Sequence, residues 1–347
     1  MSSRNVVLVG TVPLNSTDEV LRLVGPTLGT RLKRVTDGET GKRSYWVSSQ
    51  AYLVARHPLL EPAGHNWDPD SGVVPKEGPP KYRLRAGVDP KTFTMPTFGY
   101  PEAARESYAR FVQLKKEGVI PPAVKFQVTL PTPLAFVTAL IDPASQAALG
   151  PAFEACVRQE LAGVLAAVPH DQLAFQWDVC LEVYVAEGLR KPWFGGDPEL
   201  GCIERVAQLA NAIPPAVELG IHLCYGDFQH KHAVEPKDMG LMVRLANAIA
   251  SRLTRPLTWL HMPVPRDRSD DAYFIPLKDL RVRGAEIYLG LVHYTDGVPG
   301  TARRIATASR HLKDFGIATE CGLGRRPPDT IPKLLQIHAA AADGAQV

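Results

Sequence analysis

Short apolar segments recur along this chain of 347 residues, and each is followed by a stretch whose apolar residues have helical spacing. Short runs of this kind predict buried strands, and the longer periodic stretches predict helices. We predict strands at Asn5–Gly10, Leu32–Asp37, Val124–Leu130, Gln172–Asp178, Leu219–Cys224, Leu257–Met262, Glu286–His293 and Gly316–Cys321. The clearest predicted helices are Thr17–Leu28, Pro151–Ala167, Pro236–Leu253 and Gly300–Phe315.

The alternation of strands with helices predicts an α/β fold, and eight strands are the number that a parallel (β/α)8 TIM barrel needs. A doubly wound open sheet is the alternative, but no Gly-rich dinucleotide fingerprint follows the first predicted strand. We therefore expect residues 1–347 to form a single TIM-barrel domain.

Residues 40–101 interrupt this alternation, because they are rich in Pro, Gly and aromatic side chains. Loops of this length are usually functional or disordered. We interpret the segment as a loop-rich insertion after the second strand, lying over the barrel mouth and carrying a helix near Ser48–Arg56. The alternative interpretation is a peripheral segment that packs on the domain and has no role in function.

Composition and charge exclude several classes of protein. The net charge is only +3 and no long block of Lys and Arg occurs, which argues against nucleic acid as a partner. No apolar stretch approaches the roughly 20 residues that span a membrane, and Val6–Val9 is too short for the apolar region of a signal peptide. Five cysteines at irregular spacing do not form a disulfide framework, so we expect a reduced, cytoplasmic protein. The oligomeric state is not indicated.

His222 and Cys224 are the most informative pair of residues. They lie two apart at the end of a predicted strand, so their side chains should face the same way. Cys321 ends a later predicted strand, and one His with two Cys suits a tetrahedral zinc site that keeps room for a substrate. A core histidine beside a buried thiol is the alternative. His261, at the end of the intervening strand, is the best-placed additional ligand, unless it only forms a hydrogen bond within its loop.

Other polar residues also gather at predicted strand ends, where the active sites of this barrel lie. Asp178 follows a buried strand, and a carboxylate there is costly unless it is paired. Binding of a substrate ammonium is therefore one interpretation of Asp178, and a helix cap or an internal salt bridge is the other. Glu39 has the same two interpretations. His293 is a candidate general acid because the pKa of histidine lies near neutrality, although it could instead form a structural hydrogen bond.

The order of these residues resembles the catalytic barrel of cobalamin-independent methionine synthase, within the wider uroporphyrinogen decarboxylase/methionine synthase-like superfamily. The segment His-Leu-Cys-Tyr resembles the family's His-x-Cys-Tyr, and Glu-Cys-Gly-Leu resembles its Asp-Cys-Gly-Leu. The resemblance implies Zn2+ ligands at His222, Cys224 and Cys321. Asp178 stands where the family's Asp-Glu-Pro strand end holds the amino group of homocysteine.

The resemblance extends to the early strand ends. Gly10 and Thr11 resemble the Gly-Ser turn that meets the amino-acid carboxylate, and Glu39 resembles the family's early Gly-Glu carboxylate. His293 resembles its late strand-end histidine. The family's additional ligand is a glutamate after the sixth strand, and this chain offers His261 in that region. The length is close to that of the short single-barrel forms.

The resemblance implies zinc-dependent transfer of a methyl or other alkyl group to a thiol substrate. The expected partners are therefore a small-molecule thiol and an alkyl donor. If the donor is a methylated folate, its flat ring should stack on an aromatic side chain of the long loops, with Trp193, Trp46 and Trp67 as candidates. A zinc-dependent epoxide or sulfonated-thiol transferase is a variant that the sequence does not separate from this one.

Two other functions remain open at this point. One is a metal-free enzyme like uroporphyrinogen decarboxylase, with arginines such as Arg266 and Arg325 binding an acidic substrate. The other is a non-catalytic barrel that binds zinc or a ligand. An exchangeable coordination position would favour catalysis, and closed four-ligand coordination would favour binding alone.

Overall fold

Strands and helices alternate along most of the chain in the computed structural model, which describes residues 3–64, 67–71, 80–226 and 232–344. The strands are β1 (Arg34–Thr36), β2 (Leu60–Pro62), β3 (Tyr82–Leu84), β4 (Lys125–Pro131), β5 (Leu173–Val179), β6 (Glu218–Leu223), β7 (Trp259–Pro263), β8 (Glu286–Gly290) and β9 (Gly316–Ile317). The α-helices are α1 (Thr17–Leu28), α2 (Ala51–Ala55), α3 (Tyr100–Lys116), α4 (Pro133–Leu140), α5 (Pro143–Ala167), α6 (Leu181–Ala186), α7 (Pro198–Asn211), α8 (Gly240–Ala250), α9 (Asp271–Phe274), α10 (Gly297–Ala308) and α11 (Ile331–Ala342). Short 3-10 helices occupy Gly29–Arg31, Gly41–Gln50, Pro69–Ser71, Pro90–Thr92, Ile275–Asp279 and Pro328–Thr330. In the described ranges, every helix is too short or too polar to span a bilayer.

The main sheet has seven parallel strands in the order β1-β4-β5-β6-β7-β8-β9. The sheet curls, so that β1 and β9 both approach the segment around Val6. Val6 forms isolated parallel bridges with Leu32 and with Ile317. The fold is thus a mixed α/β fold with a curled, half-barrel sheet, and the predicted closed barrel of eight strands is confirmed only in part.

The predicted first strand, Asn5–Gly10, is reduced to the bridging position Val6. The reason lies in its hydrogen bonds. The Val9 carbonyl accepts side-chain donors from inside the sheet, Gln176 Nε2 at 2.8 Å and Gln127 Nε2 at 3.1 Å. Thr129 Oγ1 also donates to this carbonyl, at 3.2 Å. Side chains therefore occupy the Val9 carbonyl, and backbone pairing is limited to the start of the segment, where Val6 donates to Arg31 and Val7 donates to Ile317.

The remaining predicted elements agree with the structure to different extents. Helix α1 has the predicted bounds Thr17–Leu28, because Ser16 caps it by accepting the Glu19 N–H at 3.2 Å. The other predicted strands overlap β1 and β4 to β9, but β8 and β9 end before His293 and Cys321. Both of these residues therefore lie in loops beyond the strands.

The insertion at residues 40–101 contains more regular structure than the sequence predicts. It begins with the 3-10 segment Gly41–Gln50, and α2 overlaps the predicted helix near Ser48–Arg56. The antiparallel pair β2 and β3 follows. Residues 65–66 and 72–79 of the insertion lie outside the described residues. Its first part, around Trp46, lines a cavity at the carboxyl end of the sheet.

A buried arginine occupies the amino-terminal end of the sheet interior. The Arg34 guanidinium lies 3.1 Å from a carboxylate oxygen of Glu218 and 3.1 Å from one of Glu286. It also lies 4.3 Å from the centre of the Trp259 ring. These partners belong to strands that are not neighbours of β1, so Arg34 fills the inside of the curl and holds Trp259 in place.

A methyl group at position 220 should destabilise the fold, because Gly220 gives the Trp259 indole its space. A Cβ at Gly220 would lie 1.9 Å from Cε2 of Trp259, whose side chain is fully buried. We expect Gly220→Ala to lower the free energy of unfolding by about 1–3 kcal/mol, as overpacking does. Chemical denaturation measures this, with Gly195→Ala as the control, since no atom lies within 4 Å of a Cβ there. Equal midpoints for the two variants would show that the indole can move.

Candidate metal and substrate site

Three polar side chains form a row across neighbouring strands. Asp178 on β5 is paired in register with His222 on β6, and His222 is paired with His261 on β7. Paired residues of adjacent parallel strands present their side chains to the same face of the sheet. All three side chains are buried. The strand register thus places a carboxylate and two imidazoles side by side at the carboxyl end of the sheet.

The two predicted cysteine ligands lie next to this row. The Sγ atoms of Cys224 and Cys321 are 3.6 Å apart, and the Gly226 N–H lies 3.2 Å from the Cys224 sulfur. One ligand atom each from His222, Cys224 and Cys321 lies within 4.8 Å of the others. The structure therefore brings together the three residues predicted as ligands, and this group could hold a metal ion.

Glycines in the loop after β9 allow Cys321 to reach this position. The Leu323 N–H donates to the Thr11 carbonyl at 2.7 Å, which ties the loop to the first segment of the chain. A Cβ at Gly324 would lie 2.8 Å from Cγ2 of Thr11 and 2.9 Å from the Ser44 carbonyl oxygen. The Cys-Gly-Leu-Gly sequence thus permits a close approach that a larger residue at Gly324 would prevent.

His261 contacts His222 and lies outside the group of three possible ligands. Its Nδ1 is 2.6 Å from Nδ1 of His222, and its Nε2 is 3.0 Å from the Thr319 carbonyl oxygen. Burial lowers the pKa of His261 to about 3 and lowers the pKa of His222 well below its usual value, so both rings are neutral at neutral pH. The Nε2 atom of His222 is buried and has no hydrogen-bond partner among the described residues.

Two buried carboxylates lie near each other at the same end of the sheet. Asp178 accepts hydrogen bonds from Trp46 Nε1 at 3.2 Å and from Gln176 Nε2 at 3.0 Å. Glu39 accepts the Thr11 hydroxyl proton, with an oxygen–oxygen distance of 2.5 Å. Burial raises the pKa of Glu39 to about 7. Burial, followed by the charge of Glu39, raises the pKa of Asp178 well above its usual value.

Two residues that line the site, Glu39 and Trp46, have unusual backbone conformations. Glu39 (φ 47°) and Trp46 (φ 52°) are the non-glycine residues with positive φ in the described ranges. The Glu39 conformation is held locally, because its N–H donates to Asp37 Oδ1 at 2.8 Å and Arg43 Nη2 donates to Asp37 Oδ2 at 2.7 Å. Strained backbone of this kind concentrates at functional sites, where the surrounding structure maintains it.

These groups share one cavity of about 180 Å3. It is lined by Val9, Gly10, Thr11, Glu39, Ser44, Tyr45, Trp46, Ser48, Asp178, Cys180, His222, Cys224, Gly226, Cys321, Gly322, Gly324 and Arg325. The sulfur and imidazole ligand atoms and the two carboxylates therefore open on the same space.

Cys180 and Tyr45 are two of the lining residues that the sequence analysis did not place in the site. Cys180 contacts Cys224, and this contact is the largest cause of the raised pKa of the Cys224 thiol. Its spacing of two from Asp178 could have indicated a shared face. Tyr45 is largely exposed and lines the cavity mouth. No pattern of apolar residues marks Tyr45, because its position depends on the strained backbone at Trp46.

Trp193, a predicted substrate-binding residue, lies outside the site cavity. Its ring packs against Gly150 and Phe194, and it lines a separate small cavity together with Glu182 and Cys202. It is not among the residues that line the site cavity. The glycine opposite the indole explains this placement, because Gly150 leaves a slot on α5 that the ring fills.

His293 is near the site but does not line its cavity. Its Nε2 donates to the Val264 carbonyl at 3.0 Å, and its Nδ1 lies 3.6 Å from a carboxylate oxygen of Glu320. Burial, with a smaller contribution from Arg304, lowers the pKa of His293 to about 3. The role of His293 as a general acid therefore stays a prediction, and this hydrogen bond to a backbone carbonyl matches the alternative structural role.

Comparisons with known proteins agree with the fold. No protein-family model matches the sequence, and no curated protein matches it. The chain is similar to the structure of a B12-independent methionine synthase from Shewanella sp. W3-18-1 in complex with selenomethionine, with 14% sequence identity, a TM-score of 0.60, and coverage of 99% of this chain and 97% of that chain.

A second similar structure is a putative vitamin-B12 independent methionine synthase from Listeria monocytogenes. It has 13% sequence identity and a TM-score of 0.51, over 95% of this chain and 87% of that chain. Similarity at these identities establishes the fold alone. This chain therefore shares the overall fold of both proteins.

Proposed function

We propose that this protein is an alkyltransferase that moves a methyl or other alkyl group to the sulfur of a thiol substrate bearing an amino group, with zinc held by His222, Cys224 and Cys321. One observation carries the proposal. Three nitrogen and sulfur ligand atoms within 4.8 Å of one another open on the same cavity as the buried carboxylates of Asp178 and Glu39. A small molecule with a thiol at one end and an ammonium at the other fits this arrangement.

The ligand group suits zinc. Two cysteine sulfurs and one imidazole nitrogen form a soft donor set that zinc prefers, and three protein ligands leave a position for substrate, as in catalytic zinc sites. The buried Nε2 of His222, which has no partner among the described residues, is the atom that a metal would satisfy. Zinc bound there would hold a thiol substrate as its thiolate, the nucleophilic form, at neutral pH.

Asp178 and Glu39 would bind the substrate ammonium. Trp46 and Gln176 donate hydrogen bonds to Asp178, and Thr11 donates to Glu39. In the described part of the chain, these hydrogen-bond donors are all uncharged. Burial is the main reason that the pKa values of both carboxyl groups are raised, and the negative charge of Glu39 raises the pKa of Asp178 further. A substrate ammonium would relieve this repulsion and fix the orientation of the substrate.

The first segment and the insertion would complete the substrate site. Gly10 is close to Glu39, since a Cβ at Gly10 would lie 3.3 Å from Glu39 Oε2, and the backbone at Gly10 and Thr11 is the proposed contact for the carboxylate of an amino-acid thiol. Tyr45 and Trp46 offer aromatic surface at the cavity wall for the alkyl donor. A methylated folate is the proposed donor. The fold, shared with a B12-independent methionine synthase, is compatible with this reaction.

Calorimetric binding of homocysteine to the zinc-loaded protein tests this proposal. We expect one equivalent to bind zinc-loaded protein and much weaker binding after removal of zinc by a chelator. Homoserine, in which a hydroxyl replaces the thiol, is the control and should bind weakly in both cases. Equal binding of homocysteine and homoserine to the zinc-loaded protein would contradict a thiol substrate.

Binding of the amino group should depend on pH because Glu39 titrates near neutrality. Its pKa of about 7 means that Glu39 is protonated below pH 7 in the free protein and ionised above it. A substrate ammonium binds the ionised form, so the dissociation constant should rise by up to about tenfold for each pH unit below 7 and level off above it.

The control for this prediction is 4-mercaptobutanoate, which is homocysteine without the amino group. Binding of this control depends on pH through the thiol and the metal site in the same way as binding of homocysteine does. The ratio of the two dissociation constants therefore reports only the pH dependence of ammonium binding. We expect this ratio to lose its pH dependence in Glu39→Gln. A ratio that stays constant between pH 5.5 and 8 in the unmodified protein would rule out Glu39 as an ammonium ligand.

A further inference from the structure

A chain of two hydrogen bonds links a backbone carbonyl to the proposed metal ligand His222. The Thr319 carbonyl oxygen lies 3.0 Å from His261 Nε2, and His261 Nδ1 lies 2.6 Å from His222 Nδ1. All three groups are inside the protein, since Thr319, His222 and His261 are each at most 2% exposed. Water therefore does not offer these atoms alternative partners.

Hydrogen-bond valence fixes the direction of this chain. A carbonyl oxygen can only accept, so the proton of the outer bond must lie on His261 Nε2. A neutral imidazole carries one N–H, so His261 Nδ1 is then an acceptor. The inner bond consequently needs a proton on His222 Nδ1. What remains on His222 is the lone pair of Nε2, the buried atom that has no partner among the described residues.

The opposite tautomer of His222 is disfavoured by the same distances. A proton on His222 Nε2 would leave two nitrogen lone pairs facing each other at 2.6 Å. It would also place an N–H in a buried position that lacks an acceptor in the described part of the chain. Each of these arrangements costs free energy in a site that excludes water.

We propose that His261 is a positioning residue, which holds His222 as the Nδ1–H tautomer and so presents Nε2 of His222 to the metal. This inference rests on the proposed function and adds a role that the three ligands do not supply. Because both nitrogens of His261 are occupied, His261 contributes no further metal ligand. The position that remains next to His222, Cys224 and Cys321 is therefore left for the substrate sulfur.

Two substitutions at position 261 separate hydrogen bonding from packing. His261→Gln keeps a carbonyl oxygen that can accept the His222 N–H and an amide that can donate to Thr319. His261→Leu keeps apolar volume but neither bond. Loss of such a partner of a ligating histidine typically weakens metal binding by roughly 10- to 100-fold. We expect that loss for His261→Leu, and recovery of most of the affinity for His261→Gln, in zinc titrations against a competing chelator.

A matched control is available at His338, a buried histidine on α11 whose Nδ1 hydrogen-bonds the Leu334 carbonyl at 2.8 Å. His338→Leu removes a buried imidazole in the same way but leaves the metal site intact. We expect its zinc affinity to equal that of the unmodified protein. This comparison removes any general effect of deleting a buried ring on the stability of the fold.

The tautomer of His222 can be measured in the absence of metal and without an activity assay. Long-range 1H–15N correlation spectra of zinc-free protein containing 15N-histidine show which ring nitrogen carries the proton. We expect His222 to be protonated on Nδ1 in the unmodified protein and in His261→Gln, and to show a mixture of tautomers in His261→Leu. A His222 ring protonated on Nε2 in the unmodified protein would overturn the inference.

The outcomes distinguish this inference from the proposed function. If zinc does not bind the unmodified protein, the proposed function fails, and the spectra of zinc-free protein still decide the tautomer. If zinc binds and His261→Leu retains full affinity and the Nδ1–H tautomer, the positioning role is wrong while the proposed function stands. A signal from His261 as a direct ligand, in spectra of cobalt-substituted protein, would also overturn it.

Discussion

Cys321→Ser is expected to reduce zinc affinity by more than about 100-fold and to remove thiol binding with it. A serine hydroxyl stays protonated at neutral pH and is a poor ligand for zinc, whereas a cysteine binds as its thiolate. Structural zinc sites with four ligands have apparent binding free energies of about 10–16 kcal/mol, so one ligand accounts for roughly 3 kcal/mol or more. Zinc content after dialysis and a chelator competition measure this loss. Cys224→Ser should behave in the same way.

The control replaces a cysteine that is remote from the site. Cys156 lies on α5, where its thiol donates to the Pro96 carbonyl at 3.0 Å, and a serine hydroxyl can make the same hydrogen bond. Cys156→Ser should therefore retain zinc and homocysteine binding. If Cys321→Ser binds zinc as tightly as Cys156→Ser does, Cys321 is not a ligand.

Arg304→Leu is expected to lower the free energy of unfolding by about 3 kcal/mol, the lower end of the cost of removing one partner of a buried ion pair, because the Asp296 side chain is 23% exposed. Arg304 is 1% exposed and binds both carboxylate oxygens of Asp296, at 2.7 and 2.9 Å. Its remaining N–H groups donate to the backbone carbonyls of Leu291 at 2.8 Å and Arg266 at 2.7 Å. Leucine would leave Asp296 and both carbonyls without these bonds.

The neighbouring residue provides the comparison for this variant. Arg303 also approaches Asp296, but at 3.9 Å and with its side chain 64% exposed. Exposed pairs contribute about 0–1 kcal/mol. Arg303→Leu should therefore denature at nearly the same urea concentration as the unmodified protein. Similar denaturation midpoints for the two variants would show that the bidentate pair of Arg304 and Asp296 stabilises the fold no more than a surface ion pair does.

The spacing of apolar residues was sufficient to predict most of the helices and strands, because buried positions are occupied mainly by apolar residues. The runs that became β4 to β7 are mostly apolar and are largely buried in the sheet. Helix α1 carries its own start signal in Ser16. By contrast, Asn5–Gly10 has the composition of a strand but pairs as a strand only near Val6, and the Val9 carbonyl accepts side-chain donors such as Gln176 from distant strands. Such long-range hydrogen bonds leave no local pattern.

In the site, too, local spacing predicted some contacts, whereas contacts that depend on distant parts of the chain could not be predicted. Spacing of two on a strand predicted that His222 and Cys224 share a face, and the structure places their ligand atoms together with that of Cys321. The contact between His222 and His261 depends on the register of β6 against β7, which the sequence does not encode locally. The position of Trp46 depends on a positive φ that no residue preference suggests for tryptophan.

X-ray absorption at the zinc edge tests the central claim, that a His/Cys/Cys metal site binds the substrate sulfur. For zinc-loaded protein alone we expect two sulfur ligands at about 2.3 Å and at least one nitrogen at about 2.0 Å. Saturation with homocysteine should raise the number of sulfur ligands to three, in the unmodified protein and in Cys180→Ser alike. A sulfur number that does not change when homocysteine is bound would contradict the account.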